Sequence, residues 1–163
     1  LAKQVAAVDS EVIAEGLKEV TWPGRFEIVA MNPMVVLDGA HNPEAASALS
    51  DLLARHTYDD LHVVFAAMSD KDYEQMIKQL PSLETAFITR PDTDRAEGMY
   101  PLAEAFEGHA NHISKIGNIL EATEKALTLA KKTDLVLVTG SLYNVAEARN
   151  RWDHPTLTKR KFA

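Results

Sequence analysis

Apolar positions along this chain follow two alternating rhythms. Runs rich in apolar or β-branched residues occur at FEIVA (26–30), MVVLD (34–38), LHVVFAA (61–67), TAFITR (85–90), HISKI (112–116) and DLVLVTG (134–140). Several are nearly continuous in apolar residues, the pattern of strands buried on both faces. Between them the spacing turns helical. Ala45, Ala46, Leu49, Leu52 and Leu53 share one helical face, as do Ile119, Leu120, Thr123, Ala126, Leu127 and Ala130. Shorter helices are predicted over 71–80, 101–107 and 142–152. Strand–helix alternation predicts an α/β fold: a Rossmann-like, mostly parallel six-stranded sheet with helices on both faces. The short Met-Asn-Pro joint between the first two runs suits a hairpin, so the first strand is expected to lie antiparallel to the second.

Size and composition narrow the class. At 163 residues, 46% hydrophobic and 25% charged, the chain has the make-up of one globular domain with a proper core. A formal net charge of -7 argues against nucleic acid or an anionic membrane as partner, since both select clustered cations. The basic tail Thr158–Lys161 is short enough to be simply solvated. With no cysteine, disulfides, thiolate catalysis and Cys-ligated zinc are excluded, which fits a cytoplasmic setting. No apolar run approaches the roughly 20 residues that span a bilayer. Residues 1–20 read as an amphipathic helix and not as a signal peptide. The chain begins at Leu1, not Met, and is expected to be a piece of something longer. The polar stretch RPDTDRAEGMYP (90–101) is the segment expected to be most flexible.

Ligands of open α/β sheets bind beyond the carboxyl ends of the strands. Four unusual segments fall there: DGAHNP after Leu37, MSDKD after Ala67, RPDTDRAEG after Thr89 and TGSLYNVAEAR after Val138. Asp38 would project a carboxylate at the rim, able to accept two hydroxyl hydrogen bonds, as a ribose requires. Gly39 and Ala40 would let a ligand approach the backbone. Asn42 suits an N-cap and Pro43 the first helical position, leaving free N–H groups that favour an anion. The plainer alternative is a capped joint with a solvated Asp38 and His41. In TWPGRF (21–26), a Pro-Gly turn presents Arg25, either as a phosphate-gripping fork or as a surface arginine. Lys71 stands between Asp70 and Asp72 at a predicted helix start, where a cation opposes the helix dipole and hints at function. Ser141 is an N-cap or a ligand contact. The six histidines show no convincing metal spacing.

Together, TWPGRFEIV, VVLDGAHNPEAASAL, DKD and VTGSLYNVAEAR resemble the C-terminal domain of the folylpolyglutamate synthase/dihydrofolate synthase family, in the Mur ligase superfamily. The resemblance covers nearly the whole chain. It implies residues 1–20 leading out of an N-terminal ATP-binding domain and residues 21–163 forming a Mur-type glutamate ligase domain. It implies an ATP-dependent ligase that joins L-glutamate to folate or dihydropteroate through an acyl phosphate. Arg25 would meet the ATP phosphates, Asp38 the ribose, and His41 would lie beside the reacting groups. Lys71 and Ser141 would hold the carboxylates of glutamate. No GxxxxGK[ST] phosphate loop is present. That loop and the magnesium ligands are expected in the N-terminal domain, the chain's chief partner. The isolated chain is therefore expected to be inactive, and the protein is expected to be a monomer. Two alternatives stay open: another Mur-type amino-acid ligase domain, or a non-catalytic α/β module for nucleotides or anions.

Overall fold

A computed structural model describes residues 9–20 and 22–152. Thr21, the basic tail 158–161 and most of the predicted leading helix's first half lie outside these residues. What is described of that helix is α1 (Ser10–Glu19), capped by Asp9, whose carboxylate accepts the Glu11 N–H. No helix among the described residues is long and apolar enough to cross a membrane.

Six strands form one sheet: β1 (Glu27–Met31), β2 (Met34–Leu37), β3 (Leu61–Phe65), β4 (Leu83–Ile88), β5 (Ala110–Lys115) and β6 (Leu135–Thr139). Their order across the sheet is β1-β2-β6-β3-β4-β5. The hairpin appears as expected. β1 runs antiparallel to β2 with Met31 opposite Met34, and the register slips between Ile28 and Ala30. Every other neighbouring pair is parallel. β3 and β6 are buried along their whole length, which is why their sequences show no polar alternation.

The two-residue strand period sorts the core into two layers. Val36, Val63, Phe65, Leu135 and Leu137 face α2 (Pro43–Leu53), α3 (Tyr73–Gln79) and α4 (Met99–Ala105), which contribute Leu49, Leu53, Met76, Ile77 and Leu102. Val35, Leu37, Val64, Val136 and Val138 face α5 (Ile119–Leu129) and α6 (Leu142–Arg149), which contribute Ile119, Ala122, Ala126, Val145 and Ala148. Both faces of the sheet are thus covered by helices.

Element boundaries differ from the sequence reading where caps decide them. α3 starts at Tyr73 because Asp72 caps it through the Gln75 N–H, leaving Lys71 outside the helix. α4 starts two residues before Pro101, which is tolerated because first-turn N–H groups have no intrahelical acceptor. The loop expected to be flexible is anchored at its centre. Met68 and Ala96 form a β-bridge, flanked by hydrogen bonds from Ser69 N–H to the Arg95 carbonyl and from Glu97 N–H to the Ala67 carbonyl.

At the opposite, amino-terminal edge, Asp134 is buried just ahead of β6 and accepts from the Lys131 N–H (2.7 Å) and from His62 Nε2 (3.3 Å). Burial alone would raise its pKa, but the Lys131 N–H, His62 and the Asp60 backbone together bring it below the ordinary aspartate value. A carboxylate held low in the folded state stabilises the fold above its unfolded pKa, and that stability is lost as pH falls through the folded value. Resistance of the domain to urea should therefore fall below about pH 4, near the unstructured aspartate pKa. Asp134→Asn should flatten that acid limb, so an unchanged pH profile would contradict the assignment.

Candidate functional site at the carboxyl edge of the sheet

The loops that follow β2, β6, β3 and β4 stand side by side because those strands are adjacent. The chain leaves β2 and β3 toward α2 and α3 on one face, but leaves β6 toward α6 on the other. This divergence opens a crevice at the end of β6, where open α/β sheets bind ligands. Gly140 sits at its floor with φ 95°, and a Cβ there would collide with the Ala66 carbonyl oxygen and the Phe65 ring. Asn144, fully buried on α6, ties the strands beneath by donating to the Thr139 and Val64 carbonyls.

Arg25 lies in a turn whose backbone is fixed from several sides. Its own N–H donates to the Trp22 carbonyl (3.1 Å), and the Gly39 N–H donates to the Gly24 carbonyl (2.8 Å). The Phe26 N–H donates to Asp38 Oδ2 (2.7 Å), and the Gly24 N–H to Glu27 Oε2 (2.8 Å). Gly24 adopts φ 71° and Phe26 φ 42°. The second costs a non-glycine residue about 1–3 kcal/mol, offset here by the Asp38 bond and by stacking of the Phe26 ring on His56 at 5.3 Å. The Arg25 side chain is exposed, and among the described residues it has no hydrogen-bond or ion-pair partner. It shares a shallow hollow of about 230 Å³ with Phe26, Asp38 and the apolar side of α2.

Asp38 is 8% exposed, and its second oxygen accepts from the Ala40 N–H (2.8 Å). It is more deeply engaged with the backbone than a rim carboxylate waiting for a ligand. Gly39 also serves the protein's own packing, since a Cβ there would collide with Leu142 of α6. His41 donates Nδ1–H to the Gly39 carbonyl at 2.9 Å, which fixes the tautomer and leaves Nε2 as an acceptor. Asn42 caps α2 as expected, through the Ala45 N–H.

On the loop after β3, Lys71 Nζ pairs with Asp70 Oδ2 (3.0 Å), while the other oxygen of Asp70 meets Arg95 (3.2 Å). The hydrogen bond from Lys71, and then that from Arg95, draws the Asp70 pKa below its usual value. Ser141 is buried and caps α6, its Oγ accepting the Tyr143 N–H (3.1 Å). The fold thus joins Arg25, Asp38 and His41 in one bonded unit. Lys71 and Ser141 stand on the loops of adjacent strands, with no bond between them among the described residues. Sequence reasoning missed Glu27, Asp70, Arg95 and Arg149. Glu27 carried a local cue, a carboxylate three residues after a turn glycine. Arg149 carried none, because it meets Glu27 across 122 positions.

This edge, on a parallel sheet with one antiparallel margin, defines an open α/β domain with its crevice at the carboxyl ends of the strands. The model of the Mur ligase, glutamate ligase domain matches residues 24–142, and the chain belongs to that family. It is 46% identical over 153 residues to the probable bifunctional folylpolyglutamate synthase/dihydropteroate synthase of Halobacterium salinarum, covering 93% of this chain and 19% of that protein. It is 30% identical over 155 residues to the dihydrofolate synthase/folylpolyglutamate synthase of Bacillus subtilis, covering 91% of this chain and 35% of the relative. The crystal structure of Mycobacterium tuberculosis folylpolyglutamate synthase complexed with ADP and AMPPCP superposes with a TM-score of 0.81 at 28% identity, over 94% of this chain and 37% of that one. The chain therefore spans only about a fifth to a third of the length of these relatives.

Asp38→Ala should destabilise the domain by about 2–4 kcal/mol, because it leaves the Phe26 and Ala40 N–H groups without acceptors. A role confined to ligand contact predicts no such loss, so urea denaturation without ligand separates the two.

Proposed function

We propose that this domain is the glutamate-ligase part of an ATP-dependent enzyme that joins L-glutamate to folate or dihydropteroate. The observation that carries the proposal is Arg25: an exposed guanidinium on a fixed backbone, with no side-chain partner among the described residues, in a domain of net negative charge. In this reaction the γ-phosphoryl group of ATP passes to a carboxylate of the pterin substrate. The acyl phosphate is then attacked by the amine of glutamate, giving an amide, ADP and phosphate. Negative charge accumulates around the transferring group, and a preorganised arginine stabilises it without reorganising. Supplying that arginine from a second domain limits hydrolysis before the substrates are assembled.

The remaining roles follow from free valences. Each oxygen of Asp38 has one lone pair committed to backbone and one left for a ribose hydroxyl. His41 offers its Nε2 lone pair beside the phosphates. Lys71 is held by an exposed carboxylate, so a substrate carboxylate can exchange with Asp70 at little cost. The Ser141 hydroxyl accepts from the helix and still has its proton to donate. Support also comes from a related bifunctional folylpolyglutamate synthase/dihydrofolate synthase structure, 28% identical, with Mn, AMPPNP and L-glutamate bound.

Among the described residues no group of three or more acids or histidines is arranged to hold a metal ion. By the family resemblance we assign magnesium, which neutralises the triphosphate when bound, to ligands of the N-terminal domain, and no step here runs through it. The phosphate loop is assigned likewise to an N-terminal domain, with residues 1–20 leading out of it and residues 21–163 forming the ligase domain. The whole enzyme acts as a cytoplasmic monomer in this reading.

In the full-length protein, Arg25→Ala should lower kcat about a hundredfold, equivalent to roughly 3 kcal/mol of transition-state stabilisation. Wild-type kcat in a folded variant would remove Arg25 from the reaction. Lys71→Ala should raise the KM for glutamate about tenfold to a hundredfold while leaving that for ATP nearly unchanged. Ser141→Ala should shift it the same way by less. Steady-state kinetics with each substrate varied in turn would reveal any other pattern.

A further inference from the structure

Arg25 needs a rigid base, and the strand that follows it is a poor one. β1 is an edge strand, and its pairing with β2 slips between Ile28 and Ala30. The turn is instead braced from α6, on the far side of the chain. Arg149, in the last turn of α6, donates Nε to both carboxylate oxygens of Glu27, at 3.2 and 3.1 Å. Glu27 Oε2 also accepts the Gly24 N–H, one residue before Arg25. Their side chains are 29% and 22% exposed, more covered than most surface pairs, which keeps the contact less screened. A second contact runs in parallel, because a Cβ at Gly24 would lie only 3.0 Å from Val145 Cγ1 of the same helix. α6 is capped by Ser141, which only Gly140 separates from the end of β6. The strut therefore ties the Arg25 turn to the central strand of the crevice.

We infer that Glu27, braced by Arg149, is a positioning residue that sets where the Arg25 guanidinium meets the phosphates. The inference deepens the ligase reading above and rests on it. Catalytic geometry tolerates little error, since a displacement of about 1 Å can cost on the order of a hundredfold in rate. A simple electrostatic account has the opposite sign: removing the Glu27 charge beside Arg25 would strengthen the attraction for ATP.

The test uses full-length protein with Glu27→Gln and Arg149→Gln, each made with Arg25 intact and with Arg25→Ala. With Arg25 intact, each should lower kcat roughly tenfold, with KM for glutamate within about twofold of wild type. In the Arg25→Ala background the same substitutions should change kcat less than about twofold, because no guanidinium remains to be misplaced. Losses of equal size in both backgrounds would overturn the inference, as would unchanged kcat or tighter ATP binding in folded Glu27→Gln with Arg25 intact. Should Glu27→Gln not fold by thermal melt, the Arg149→Gln pair decides alone, since Arg149 is the outer partner. If Arg25→Ala itself keeps wild-type kcat, the ligase role of Arg25 fails and this inference falls with it. If Arg25→Ala is impaired and both strut variants match wild type, only the strut is wrong.

Discussion

Asp38 closes β2 with a buried carboxylate that accepts one backbone N–H from upstream, Phe26, and one from downstream, Ala40. That single group joins two loops that the sequence separates by a strand hairpin. It holds Phe26 in a left-handed conformation, and so determines the direction in which Arg25 leaves the turn. It also shapes the start of the next loop, where the Gly39 carbonyl orients His41. Removing an acceptor that serves one buried and one part-buried donor costs more than one net hydrogen bond, because both donors lose their partner at once. Arg25 and His41 depend on this arrangement.

Close approach is the second constraint. Gly24, Gly39 and Gly140 let the Arg25 turn, the β2 loop and the end of β3 pack against α6 and one another without side chains between them. The glycines at this edge serve internal packing as much as ligand access. The result is a rigid rim, with the 90–98 loop held against the β3 loop by the Met68–Ala96 bridge.

Charge at this edge is mixed and locally paired. The chain carries a net -7, and the loops of this edge mix Arg25, Lys71, Arg90 and Arg95 with Asp38, Asp70, Asp72, Asp92, Asp94 and Glu97. Lys71 and Arg95 share Asp70, which keeps two cations close without mutual repulsion dominating.

The sheet, its hairpin and the alternation of helices were legible in the sequence because burial on both faces leaves a continuous apolar run, and capping residues mark where helices begin. Asn42 and Ser141 could be read as caps from local chemistry alone. The family was legible too, since its motifs are contiguous stretches. Pairings between distant positions were not. Nothing in the order of residues says that Glu27 meets Arg149, that Asp70 bridges Lys71 and Arg95, or that Gly39 makes room for Leu142. Hydrophobic periodicity and capping are local properties, encoded within a few residues. The position of Arg25 depends on hydrogen bonds across the sheet, and those exist only once β1, β2 and β6 are packed together beneath α6.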